Sequence, residues 1–298
     1  MAQAQINGIT LEYEVHGAPD GEPMLLIMGL GAQMTRWPVG LYEKLVARGF
    51  RVIRFDNRDV GLSQKFSGVP KIEDVVGAMM KGQKPDIPYT LDDMAADAVE
   101  LLDHLGIKRA HIVGASMGGM IGQLVVADYP ERALSFTSIF STTGNPSLPP
   151  AKPEAMAVLT TRAPDPNENI DAYLDHTVRN ARTIGSPGYP FDEKLMRERL
   201  LSDVRRCYEP LGVARQIGAV VANGDRRAKL AKIKTPTVVL HGDSDPLVPV
   251  EGGRDTAANI PGAELRIIPN MGHDLPPALY DVVVEAICRA AERSRVAA

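Results

Sequence analysis

Short apolar runs and helical apolar stripes take turns along the chain. Residues 5–16 (QINGITLEYEVH) alternate around Asn7-Gly8, a dipeptide that favours a two-residue β-hairpin turn. Residues 24–29 (MLLIMG), 51–56 (RVIRFD), 111–116 (HIVGAS), 135–140 (SFTSIF), 235–242 (TPTVVLHG) and 263–269 (AELRIIP) are short and mostly apolar. Runs of that kind read as strands, the most apolar of them buried on both faces. Helix patterns lie between them. Residues 38–48 carry Leu41, Leu45 and Val46 at helical spacing, and 90–105 carry Leu91, Met94, Ala95, Ala98, Leu101, Leu102 and Leu105. Thr90 with Asp93 three positions on reads as a helix start, and Gly106 as its stop. Further helices are expected from Met117 to about Pro130 and over 277–292. Strands alternating with helices predict an α/β fold: a mostly parallel sheet with helices on both faces, and antiparallel hairpin strands at one edge.

Two stretches break this rhythm. Residues 64–89 hold Val75, Val76, Met79 and Met80 followed by Pro85 and Pro88. Residues 142–230 are long, rich in Pro and Arg, and mainly helical in pattern. A structureless loop of that length does not suit a compact domain. The expected organisation is a core domain formed by 1–141 and 231–298, interrupted by a helical cap at 142–230. The Arg205-Arg206 and Arg226-Arg227 pairs are expected on solvated faces of that insertion.

Composition narrows the function classes. The chain has 298 residues, 44% of them apolar and 23% charged, with 33 Lys and Arg against 37 Asp and Glu. A net charge of −4, mixed in sign, argues against nucleic acid and anionic membrane as partners. No apolar run reaches the roughly 18 residues of a membrane span. The first residues show no basic stretch followed by an apolar one, so no secretory signal is read there. Cys207 and Cys288, the two cysteines, form neither a CxxC nor a zinc-ligand pattern. The expectations are a cytoplasmic protein with no metal and no cofactor. A homo-oligomer remains open.

The strongest chemical signal is Gly114-Ala115-Ser116-Met117-Gly118, a G-x-S-x-G motif placed after an apolar strand and before a helix. In that setting the serine occupies a strained turn, its hydroxyl projects above the sheet, and the helix N-terminus favours developing negative charge. A serine hydroxyl is a poor nucleophile until a base takes its proton, and the base needs an orienting acid. Asp245, just past the 235–242 strand, and His273, just past the 263–269 strand, supply both in the order Ser, Asp, His. Parallel strands open these three positions on one sheet edge. Asp243 competes with Asp245, but directly after Gly242 it suits turn capping better. His241 is read as packed in the sheet. Asp274 adjoins His273, and side chains adjacent on a loop rarely face each other.

With these residues in place, the chain resembles the α/β-hydrolase-fold superfamily over nearly its whole length. Asp56-Asn57-Arg58-Asp59-Val60-Gly61-Leu62-Ser63 is similar to the D-x-R-x-x-G-x-S segment of single-cap members, and the run ending at Asp245-Pro246 and the Gly272-His273 pair also match. Within the superfamily the segments look closest to the aclacinomycin methylesterase-like group. The resemblance implies an oxyanion hole formed by the backbone N–H groups of Met117 and Leu30, the latter in the Met28-Gly29-Leu30-Gly31 loop. Met28 stands where the common form has a histidine, so the loop lacks a polar side chain to hold it. Asp56 and Arg58 are expected to brace loops around the site. Met28, Trp37, Met79 and Met80 are candidate pocket residues, and Met156 and Met196 are further apolar candidates, although Trp37 suits the core or the pocket rim and methionines at helical spacing are more often core.

The expected activity is that of a serine esterase. It would cleave a carboxylic ester of a small or medium, partly apolar substrate through an acyl-enzyme. Carbon–carbon bond hydrolases and cofactor-free perhydrolases use the same triad and stay open. Epoxide hydrolases and haloalkane dehalogenases use an aspartate where this chain has Ser116. A non-catalytic ligand receptor on the same fold is the alternative from another class.

Overall fold

The computed structural model describes residues 2–296. Eight strands form one sheet: β1 (Ala2–Ile6), β2 (Ile9–His16), β3 (Glu22–Ile27), β4 (Phe50–Phe55), β5 (Ala110–Ala115), β6 (Ala133–Ile139), β7 (Thr237–Gly242) and β8 (Glu264–Ile268). Their spatial order is β1-β2-β4-β3-β5-β6-β7-β8. The β1–β2 hairpin turns at Asn7 and Gly8, both at positive φ. β2 runs antiparallel to β4, and every later pairing is parallel.

The near-continuous apolar runs follow from burial on both faces. Side chains alternate along a strand, so Leu25, Ile27 and Ile112 enter one core while Met24, Leu26 and Val113 enter the other. Helices α1 (Val39–Ala47), α2 (Ile72–Met80), α3 (Leu91–His104), α4 (Met117–Asp128), α5 (Pro153–Thr160), α6 (Ile170–Ile184), α7 (Glu193–Arg206), α8 (Pro210–Asn223), α9 (Arg227–Leu230), α10 (Val250–Asn259) and α11 (Tyr280–Val296) complete the fold. α3 and α4 cover the first core, and α1 and α11 cover the second. α3 begins with a full capping box: Thr90 Oγ1 accepts from Asp93 N, and the Asp93 carboxylate accepts from Thr90 N. Among the described residues no helix is long and apolar enough to cross a membrane.

Five helices, α5 to α9, lie between β6 and β7. Leu174, Val178 and Leu200 form a small core of their own there. Polar contacts join the segment to the sheet domain. Arg206 pairs with fully buried Asp56 at 2.7 Å, and Arg215 pairs with fully buried Asp59 at 2.9 Å. Arg226 is also buried, and it donates to Gln123 Oε1 (2.8 Å), Asn223 Oδ1 (2.8 Å), Gly224 O (3.0 Å) and Thr142 O (2.7 Å). Burial pulls its guanidinium down to about 10, so it remains charged at neutral pH. Arg206 and Arg226 therefore depart from the solvated faces expected of them. Sequence spacing does not reveal that Asp56 and Gln123 of the sheet domain and the carbonyls of Thr142 and Gly224 await them.

Two expectations for stability follow. Arg226→Met removes four donated hydrogen bonds and leaves the Gln123 amide and the Thr142 carbonyl short of a partner. It should cost about 2–4 kcal/mol in a urea unfolding experiment. The second concerns His111, buried on β5 against the edge of Phe50, with Nδ1 2.8 Å from Ser135 Oγ. Burial lowers its pKa, outweighing the opposing pull of Glu22. The unfolded chain then binds the proton more readily than the folded one. Stability is full above about pH 6.5, the unfolded value, and falls as pH drops through the window below it. Thermal melts from pH 7.5 to 5.5 should show a smaller decline in His111→Gln than in the wild type.

Candidate active site

The site is built on the C-terminal edge of the parallel strands. Ser116 joins β5 to α4 with φ of 56° and ψ of −121°, a backbone conformation that non-glycine residues rarely adopt. Its surroundings hold it there. Ser116 N donates to Ile139 O at 2.9 Å, and Ser141 Oγ donates to Ser116 O at 2.8 Å. The motif glycines allow α4 to close on the sheet. A Cβ at Gly114 would lie 2.1 Å from Gly118 O, and one at Gly118 would lie 2.0 Å from Ile27 O.

His273 Nε2 stands 3.0 Å from Ser116 Oγ, and Nδ1 stands 2.7 Å from Asp245 Oδ2. A proton on Nδ1, donated to the carboxylate, leaves Nε2 as the acceptor that faces the serine. The second oxygen of Asp245 accepts from the backbone N–H groups of Leu247 and Val248, each at 2.9 Å. That turn fixes the carboxylate before the imidazole meets it. The imidazole is held as well: His273 N donates to Ile184 O at 2.7 Å, and the Phe140 ring lies 4.6 Å from its own.

Neighbouring titratable groups have other partners. Asp243 Oδ1 accepts from Asn270 N at 2.7 Å and from Ser244 Oγ, which closes a turn. His241 is fully buried, with Nε2 2.8 Å from Val248 O and 3.7 Å from Asp245 Oδ2, and burial lowers its pKa. Asp274 turns away from His273 and accepts from the N–H and the hydroxyl of Ser186, while burial pushes its carboxyl up.

The Met28–Gly31 loop abuts the serine: a Cβ on Gly29 would lie 3.1 Å from Ser116 Cβ. Among the described residues, neither the Leu30 N–H nor the Met117 N–H donates to a protein acceptor. Two side chains hold this loop. Asn57 Nδ2 donates to Met28 O at 2.9 Å, and Gln216 Oε1 accepts from Gly31 N at 2.7 Å. Asp56 braces the adjoining segments, accepting from Met34 N (2.8 Å) and Leu62 N (2.9 Å), and Arg58 forms a buried pair with Asp97, Nη2 to Oδ1 at 2.7 Å. Gln216 carries no signal in the sequence, because it lies 185 residues from its partner on a helix with no motif.

Of the candidate pocket residues, Met28 lies in the loop that abuts the serine. Trp37 is fully buried in the core with Leu41 and Leu45, and Met28 is buried in the same core. Met79 faces Gly224, and Met80 is 84% exposed. The reason lies in the helix period. Val75 turns the inner face of α2 toward the protein, Met79 follows it four residues later, and Met80 is rotated out. A cleft of about 480 Å³ opens beside the turn that carries Asp245, lined by Lys152, Arg182, Ser186, Tyr189, Ser244 and Pro246 among others. Among the described residues, no three His, Cys, Asp or Glu side chains gather in a metal-binding arrangement.

The model of the alpha/beta hydrolase family matches residues 15–286. The chain belongs to that family. The match agrees with the motifs and with the eight-stranded, mostly parallel sheet. Rhodomycin D methylesterase DnrP of Streptomyces peucetius is 32% identical over 298 residues, with 94% of each chain covered. A 2-hydroxy-6-oxononadienedioate/2-hydroxy-6-oxononatrienedioate hydrolase of Burkholderia vietnamiensis is 28% identical, with 88% of this chain and 85% of that protein covered. The solved structure of a thermophilic esterase from Thermogutta terrifontis superposes with a TM-score of 0.69 at 25% identity, covering 99% of both chains.

The packing at the elbow carries a prediction. Gly114→Ala places a Cβ against the backbone of Gly118 and forces the strand and helix apart. A loss of about 1–3 kcal/mol is expected, read as a lower urea midpoint with an unchanged slope.

Proposed function

We propose that this alpha/beta hydrolase is a serine esterase that cleaves a carboxylic ester of a small or medium, partly apolar substrate. The observation that carries the reading is the continuous hydrogen-bonded chain from Ser116 Oγ through His273 to Asp245. It begins at a serine held at positive φ. The similarity to rhodomycin D methylesterases supports ester cleavage.

His273 Nε2 takes the hydroxyl proton as Ser116 Oγ attacks the ester carbonyl carbon. The carbonyl oxygen becomes an oxyanion, and the N–H groups of Met117 and Leu30 donate to it. Asp245 stabilises the imidazolium through Nδ1–H. The tetrahedral intermediate collapses, the C–O bond to the alcohol breaks, and His273 returns the proton to the departing oxygen. Water then attacks the acyl-enzyme with His273 again as base. The helices between β6 and β7 act as a cap that restricts access, which suits an enclosed ester better than a polymer. Carbon–carbon bond hydrolysis by the same three side chains is the second reading. It is favoured by the similarity to the Burkholderia vietnamiensis hydrolase.

A p-nitrophenyl ester series from acetate to dodecanoate, offered to the wild type and to Ser116→Ala, tests this reading. The expected result is turnover that peaks at one chain length and falls by roughly four to six orders of magnitude in the variant, with the melting curve unchanged. Turnover retained by a folded Ser116→Ala would end the proposal. A folded wild type that is inert to every ester and cleaves a vinylogous diketone would establish the second reading instead.

A further inference from the structure

We propose that Gln216, on a helix of the inserted segment, is a positioning residue for the oxyanion hole, so that docking of this segment and assembly of the hole are one event. The inference rests on the esterase reading and adds to it a residue that no motif marks. Gln216 is fully buried and uses both ends of its amide. Oε1 accepts from Gly31 N at 2.7 Å, and Nε2 donates to Arg58 O at 2.8 Å. The chain neighbour of Arg58 completes the frame, since Asn57 Nδ2 donates to Met28 O at 2.9 Å. The loop that holds the Leu30 N–H is therefore gripped one residue after Leu30 by Gln216 and two residues before it by Asn57.

The grip acts at the right place. Gly31 has a positive φ of 63°, and a Cβ there would lie 2.7 Å from Val213 Cγ2 on α8, one helical turn before Gln216. The α8 face is pressed against the loop and also sets its hydrogen bonding. α8 is itself anchored beside this contact by Arg215, whose guanidinium meets Asp59 at 2.9 Å. Releasing the Gly31 N–H lets the peptide planes on either side of Leu30 rotate. A donor aimed at a developing oxyanion loses most of its effect when its direction drifts, whereas substrate binding in the ground state hardly depends on it. Met28 offers the loop no polar side chain, and Asn57 and Gln216 hold it instead.

The test compares the wild type, Gln216→Met and Gln216→Glu on the best p-nitrophenyl ester, with active sites counted by burst titration. Gln216→Met keeps the volume and loses both hydrogen bonds. Its kcat per titrated site should fall about 10- to 100-fold with KM within about threefold. Gln216→Glu keeps the acceptor for Gly31 N–H but loses the donor to Arg58 O, and its loss should be smaller than that of Gln216→Met. Equal loss in both variants, an unchanged kcat in folded Gln216→Met, or a loss confined to KM would each overturn the proposal. If Gln216→Met does not fold, Gln216→Asn, too short to span both partners, should show the same fall in kcat, and its absence would likewise overturn the proposal. The esterase reading is tested apart from this, because it stands or falls with Ser116→Ala whatever Gln216 does.

Discussion

The close approach of backbone to backbone beneath Ser116 is the constraint on which the rest of the site depends. Gly114 and Gly118 lie where a side chain would meet a carbonyl oxygen at about 2 Å, and their bareness lets the N-terminus of α4 sit directly against β5 and β3. From that position the serine turn stands at the sheet edge with the Met28–Gly31 loop against it. The strained φ of Ser116 is tolerated because the Ile139 carbonyl, the Ser141 hydroxyl and the α4 packing all define the same conformation.

A second layer of organisation is electrostatic. Asp56, Asp59 and Asp97 are buried carboxylates, each met by an arginine. Two of those arginines, Arg206 and Arg215, come from the segment between β6 and β7. Burial pushes the Asp97 carboxyl up even with Arg58 beside it. Replacing such a pair with apolar residues often stabilises a protein, while removing one partner leaves a buried charge exposed to a low dielectric. Their arrangement points to placement as their main effect: the helices between β6 and β7 meet the sheet domain in one register.

The sequence made the sheet domain legible because each of its signals is local. Asn7-Gly8, the Thr90–Asp93 cap, the apolar runs of β3 and β5 and the glycines around Ser116 act through neighbours in the chain. The convergence of Ser116, Asp245 and His273 is legible for a related reason, since each follows a strand and parallel strands end on one edge. The residues that missed their expected places act across long separations or turn on a single helical step. Met80 is one residue out of phase with the inner face of α2. Arg206 and Arg226 look like ordinary surface charges until the folded chain brings Asp56 and the Thr142 carbonyl to them. Gln216 meets Gly31 across 185 residues, and no periodicity records such a contact.

The inserted helices leave and re-enter the sheet domain at nearly one point. Arg226 N donates to Thr143 O at 2.9 Å, and a Cβ on Gly144 would lie 2.1 Å from Gly224 O. Seen from the sheet, more than eighty residues behave as a single tight loop whose mouth is already closed. The entropy of closing a loop grows only with the logarithm of its length. Such a segment can be lengthened, shortened or exchanged at its pinched neck while β6 and β7 remain paired. Ser116, Asp245 and His273 all lie outside that loop, so a change in its length does not alter the strands that carry them.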